Sequence, residues 1–182
     1  MNFIGHALLA QAGNDDFLLG NLIADGIKGP NLEQLTTDVA SGVRWHRHVD
    51  ARVDRHPIVL ELLDQMPERR VAGIALDIVW DHFLASHVLR PSLAERCYQQ
   101  LRDRPLPARQ ATMFEHLVKG RWLEGYADFD FTLHAIEGVG RRLRGPNRLA
   151  HLTPWLSSHY GLLEDAYKRF WPNVCQHLSW QK

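Results

Sequence analysis

Arg44-Trp45-His46-Arg47-His48-Val49-Asp50-Ala51-Arg52-Val53-Asp54 sets two histidines, two aspartates and three arginines among apolar residues at helical spacing. On a helix, His46 and Asp50 lie about 40° apart around the axis and Asp54 about 80° from His46, so all three can face one point. His48 lies about 200° from His46 and looks elsewhere. His46 and Asp50 are therefore candidate metal ligands and Asp54 a weaker one. The plainer alternative is a His–Asp pair at i,i+4 on a solvated face.

A second stretch, Leu76-Asp77-Ile78-Val79-Trp80-Asp81-His82-Phe83-Leu84, fixes the fold class. Asp77 and Asp81 share a helix face, yet Ile74, Leu76, Ile78, Val79, Trp80, Phe83 and Leu84 cover most of the circumference. A helix that is apolar nearly all round is buried. Two buried like charges need a cation close by, either a metal ion shared with the first stretch or arginines. His82, about 100° from Asp81, is a candidate ligand, a partner to a ligand, or a donor to phosphate.

The helical period continues outward from these stretches. Helices are expected from Phe3 to Gln11, Phe17 to Ile27, Thr37 to Arg55, Ile58 to Gln65 and Glu68 to Leu89. They continue from Ser92 to Arg102, Ala108 to Val118 and Phe129 to Leu143, then from Thr153 to Leu178 with a break near Pro172. Prolines 57 and 91 and the Gly145-Pro146-Asn147 turn mark the stops. No stretch alternates with period two at useful length, so the expected architecture is all-α, one domain over residues 1–182.

The 182 residues suffice for one domain with a sizeable core. Twenty-one basic residues balance 21 acidic ones, so nothing pulls the whole molecule toward nucleic acid or a membrane surface. No apolar run approaches the roughly 18 residues of a membrane span. The start lacks a secretory signal, and Cys97 and Cys175 form neither a metal spacing nor a disulfide framework. A cytoplasmic location is expected.

His6 and Asp25 each stand alone in apolar segments. A ligand set of imidazoles and carboxylates without thiolate suits Mn²⁺, Mg²⁺ or Fe²⁺ better than structural zinc. Oxidative di-iron bundles carry Glu-x-x-His pairs, and this chain has none.

The ordered set Asn2-Phe3-x-x-His6, Gly20-Asn21-Leu22-x-Ala24-Asp25 and Gly42-Val43-x-x-His46-Arg47-x-Val49-Asp50-x-x-x-Asp54 resembles the acyl carrier protein phosphodiesterases. These are distant, rearranged relatives of the HD-type metal phosphohydrolases. The likeness runs on through Leu76-Asp77-x-x-Trp80-Asp81-His82-Phe83-Leu84 and Trp122-Leu123-x-x-Tyr126-x-Asp128-x-Asp130-Phe131 to Phe170-Trp171. It implies an HD-like helical bundle with rearranged helix order. The implied activity is removal of the 4′-phosphopantetheine arm from holo-acyl carrier protein, with a divalent cation, usually manganese. The implied metal residues are Asp25, His46, Asp50, Asp77 and Asp81, joined by His6 and His82. The HD order is reversed here, as Asp81-His82.

For the expected hydrolysis, Arg47 is the candidate for stabilising charge on the phosphoryl oxygens, and His82 or His6 for protonating the leaving serine oxygen. An acidic carrier protein calls for a local basic surface, with candidates at Arg44, Arg52 and Arg55 and at Arg141, Arg142, Arg144 and Arg148. The rival readings are an HD-like enzyme acting on a nucleotide or small phosphodiester, and a non-catalytic helical binding protein.

Overall fold

The computed structural model describes residues 1–178 and 180, and every regular element among them is helical. Helix α1 (Phe3–Ala10) is apolar on all sides and buried from Ile4 onward. Asn14 caps α2 (Asp15–Ile23) by accepting from the Phe17 amide at 2.9 Å, with Asp15 and Asp16 in the first turn favoured by the helix dipole. A 3₁₀ turn, Ala24–Gly26, follows. Helix α3 (Thr37–Val53) carries the first charged stretch and α5 (Arg69–His87) the second, separated by α4 (Pro57–Gln65).

The second half comprises α6 (Pro91–Asp103), α7 (Ala111–Lys119), the single turn α8 (Trp122–Gly125) and α9 (Phe129–Arg142). After a 3₁₀ turn at Leu149–Leu152 come α10 (Thr153–Ser158) and α11 (Tyr160–Leu178). Helix α5 is the central strut, packed on α1, α4, α8, α9 and α11. Its Trp80 stacks on Phe170 at 4.9 Å and its Phe83 on Tyr167 at 5.1 Å. The main hydrophobic core runs from Met1 to Leu178, and a small second cluster of Ala24, Leu32, Ala40 and Val43 shares the flanking Ile27 and Leu35 with it. The last residues of the expected 1–182 range, 179, 181 and 182, lie outside those described. No described helix is long and apolar enough to cross a membrane.

Most boundaries fall within three residues of the sequence expectation, and two segments differ in kind. Helix α11 passes through Pro172 unbroken, while the interruption falls earlier, at His159. Proline costs a helix interior about 3 kcal/mol. Burial of Trp171, Val174 and Leu178 around it, at roughly 1.5–3 kcal/mol per large apolar side chain, outweighs that penalty. At the observed break, the Ser157 and Ser158 hydroxyls bond back to the carbonyls of Thr153 and Trp155, giving the backbone an alternative to a continuing ladder. The segment expected to be one apolar helix from Phe17 to Ile27 instead starts two residues earlier and tightens into a 3₁₀ turn at Asp25.

Helices α2 and α3 pack backbone to backbone. A β-carbon on Gly20 would lie 2.0 Å from the Val39 carbonyl oxygen, and one on Gly42 would lie 2.1 Å from that of Phe17. Neither obstacle is a side chain able to move aside. Gly42→Ala is therefore expected to lower stability by about 2 kcal/mol or more. Gly73→Ala, where nothing lies within 4 Å, is expected to raise it by roughly 0.5–1 kcal/mol. Urea denaturation followed by circular dichroism measures both; a neutral Gly42→Ala would refute the close helix contact.

Candidate metal centre

Three elements bring their chemistry to one point. α1 contributes His6, the 3₁₀ turn Asp25, and α3 His46 and Asp50. His46 Nδ1 donates to the Asn21 carbonyl at 2.8 Å. A carbonyl oxygen only accepts, so Nδ1 carries the proton and Nε2 turns to the carboxylates. Nε2 lies 3.1 Å from Asp50 Oδ2 and 3.4 Å from Asp25 Oδ1. His6 Nε2 lies 2.9 Å from Asp50 Oδ1, and the two imidazoles stack with centroids 3.6 Å apart. Ligand atoms of His6, His46 and Asp50 all fall within 4.8 Å of one another.

These donors fit a divalent cation. His46 Nε2 is buried between two carboxylates yet makes no hydrogen bond, while its other nitrogen is fixed by a backbone carbonyl. Metal-binding histidines are ordinarily held this way. Burial pulls the His46 imidazolium down, but Asp25 and Asp50 outweigh it and lift its pKa to about 9. Burial and then the charge on His46 lower His6 to about 4, so His6 is neutral at pH 7. Burial opposes ionisation of Asp50, but His46 and His6 prevail and hold it far below the usual carboxylate range. His46 above all keeps Asp25 ionised.

The other sequence candidates sit around this cluster rather than in it. Asp77 is linked to it through the Met1 amino nitrogen, which is 2.9 Å from Asp77 Oδ1 and 3.3 Å from Asp50 Oδ1. Asp81 is fully buried with its carboxylate on the first turn of α1, accepting from the amides of Ile4 at 3.0 Å and Gly5 at 3.1 Å. Arg47 donates to the Ile27 carbonyl at 2.9 Å and so pins the segment that carries Asp25. His82 donates through Nδ1 to the Tyr126 carbonyl, and its Nε2 pairs with the Tyr160 hydroxyl, both at 2.9 Å. Those contacts put its ring among Phe83, Phe129 and Tyr160, in a separate group. Asp54 caps the end of α3, and His48 is exposed and stacked on Trp45.

Asp25 and Asp77 also line a cavity of about 630 Å³ walled by Ile74, Ile78, Trp122, Phe131 and Val139. Sequence reasoning missed the roles of Asn21 and of Gln110, which lines this cavity. The Gly20-Asn21 interruption in an apolar helix was the available signal for the first; Gln110 had none.

The description of the family model that matches residues 1–174 is acyl carrier protein phosphodiesterase. The protein of that name from Enterobacter sp. (strain 638) is 35% identical over 187 residues, covering 96% of this chain and 95% of its own length. Its namesake from Yersinia pestis is 33% identical over 190 residues, 98% of both chains, and that from Escherichia coli O6:K15:H31 matches at the same level. No solved structure matches the chain.

Asp81→Ala removes the acceptor of two buried amides and is expected to cost about 2 kcal/mol or more. Burial, only partly offset by the Ile4 and Gly5 amides, raises Asp81 from 3.8 to about 7. A carboxyl whose folded pKa exceeds its unfolded one stabilises fully below the unfolded value and loses that contribution as pH rises through the folded value. The Asp81 contribution should thus decline between about pH 4 and pH 7, so the wild type should lose stability relative to Asp81→Asn over that range. Denaturant titrations at pH 4, 5.5 and 7.5 check this; equal slopes in both proteins would exclude Asp81 as the titrating group.

Proposed function

The chain belongs to the acyl carrier protein phosphodiesterase family, and we propose that it removes 4′-phosphopantetheine from holo-acyl carrier protein by metal-dependent hydrolysis. The observation that carries this reading is the convergence of His6, His46 and Asp50, with Asp25 beside them and lining a cavity. A bond from serine oxygen to phosphorus breaks, a bond from water oxygen to phosphorus forms, and the serine oxygen takes a proton. The products are the apo carrier protein and the free phosphorylated arm.

His6, His46, Asp50 and Asp25 would hold the cation, and Asp77 and Asp81 complete the wider acidic group. When bound, the cation supplies Lewis-acid charge to the phosphoryl oxygens and lowers the pKa of an attacking water. The imidazole and carboxylate donors suit manganese, magnesium or iron(II), and the family resemblance favours manganese among them. Asn21 keeps His46 in the ligating tautomer, and Asp50 orients His6. Of the two candidate proton donors to the serine oxygen, His6 stands in the cluster, whereas His82 shapes the neighbouring wall through Tyr126. Arg47 acts by holding the Ile27 segment and thereby Asp25. Cys97 is a buried thiol, consistent with action in the reducing cytoplasm.

Purified protein incubated with holo-acyl carrier protein and manganese should convert it to the apo form, seen by mass spectrometry as loss of the arm. Excess chelator should stop the reaction, and His46→Ala should reduce it by about 100-fold or more. Undiminished turnover with chelator would sink the metal-dependent reading.

The carrier protein as substrate implies a basic docking face. Arg141, Arg142 and Arg144 are exposed; Arg141 has only a 3.9 Å contact with Glu137, and the other two make no ion pair among the described residues. Reversing all three to glutamate should lower turnover of holo-acyl carrier protein at least tenfold more than that of a small phosphodiester. Equal losses on both would favour a small-molecule substrate.

A further inference from the structure

We propose that the cavity of about 630 Å³ beside the cluster seats the pantetheine arm itself, with the phosphate end at Asp25 and Asp77 and the amide-bearing thread along the apolar wall. The assignment rests on the proposed phosphodiesterase reaction and adds what the enzyme grips. The volume falls within the roughly 300–1,000 Å³ typical of small-ligand sites, far too small for a folded carrier protein. Its walls suit a slender, mostly uncharged chain, being formed by Ile74, Ile78, Met113, Trp122, Phe131 and Val139.

A thread with two amide groups still needs polar partners, since an unpaired buried amide costs several kcal/mol. The cavity provides them sparsely. Gln110 lines it, and its Oε1, buried beside Gly26, has no hydrogen-bond partner, so a turn of this side chain would offer an acceptor to an amide N–H. Asn2 and His134 line it as well. Guanidinium groups of Arg141 and Arg142 lie across Gly138: a β-carbon there would meet Arg142 Nη1 at 3.4 Å and Arg141 Nη2 at 3.8 Å, and nothing else. Glycine at 138 thus leaves room under two cationic groups at the cavity edge. The same two arginines line the cavity and lie on the exposed basic face, so the arm enters where the carrier protein docks.

The cavity can be filled without disturbing the cluster. The β-carbon of Gly138→Leu would meet only the flexible ends of two arginines, and Ala135→Trp adds bulk to the cavity lining from the same helix. The test titrates pantetheine, which lacks phosphate, into wild type and both variants by calorimetry. It then follows hydrolysis of holo-acyl carrier protein and of methyl p-nitrophenyl phosphate with manganese.

The expected result is saturable pantetheine binding to wild type, weakened at least tenfold in each variant that retains the wild-type helical circular dichroism. The ratio of carrier-protein to small-diester turnover should fall at least tenfold. Absence of pantetheine binding, binding unaltered by both substitutions, or displacement of pantetheine by adenosine monophosphate at lower concentration than by 4′-phosphopantetheine would overturn the assignment. Binding that obeys the cavity while no carrier protein is cleaved would retain the arm site and reject the phosphodiesterase reading. Cleavage indifferent to both substitutions would do the reverse.

Discussion

Asp81 is the constraint on which the site depends. A carboxylate with no exposure is tolerable only where backbone donors surround it, and here the donors are the opening amides of α1. Amides at a helix start have no partners of their own and carry the positive end of the dipole, so the match satisfies both groups. The bond ties α1 to α5 across 76 or 77 residues of sequence. With α1 held there, the very next residue, His6, meets His46 and Asp50. The geometry of the His–Asp cluster is thus inherited from a hydrogen bond outside it.

A second constraint acts on the other side. The glycine-lined contact of α2 with α3 brings the Asn21 carbonyl to His46 Nδ1, which directs Nε2 inward. Side chains at positions 20 or 42 would separate the helices and leave that imidazole free to choose either tautomer. Helix α3 therefore supplies ligands at i and i+4, while α2 decides how one of them points. Arg47, on a different face of α3, holds the Ile27 carbonyl and keeps Asp25 within 3.4 Å of His46.

Much of this was legible in the sequence, and what was not has physical reasons. The angle between His46 and Asp50 on a helix is a local property, so their convergence could be read directly. The apolar circumference around Asp77 and Asp81 announced burial of both; Asp81 is buried against helix amides, whereas Asp77 is part-exposed at the cavity and pairs with the Met1 amino group. Sequence could not say which charge: a buried carboxylate is satisfied equally by a metal ion, an amino group or helix amides, and only the tertiary register decides. His82 illustrates the same limit, since one position along the helix from Asp81 turns it toward Tyr126 and Tyr160. The break expected at Pro172 followed local propensity, which the surrounding buried residues override. Helix α8 is a single turn, too short to show a period.

Asp25 and Asp50 remain ionised because His46 is protonated between them, and His6 stays neutral because it is buried and because a second imidazolium stacked on His46 would repel the first. The proton on His46 Nε2 therefore stands in for a cation at that point. A divalent ion would replace it with greater charge and with direct bonds to nitrogen and oxygen, releasing the proton to solvent. Two stacked imidazoles facing shared carboxylates make a poor hydrogen-bonded core, since His6 Nδ1 and His46 Nε2 both lack partners. A cation held by these residues would satisfy His46 Nε2, the ring nitrogen that faces the carboxylates, and this makes the cluster a candidate ligand set.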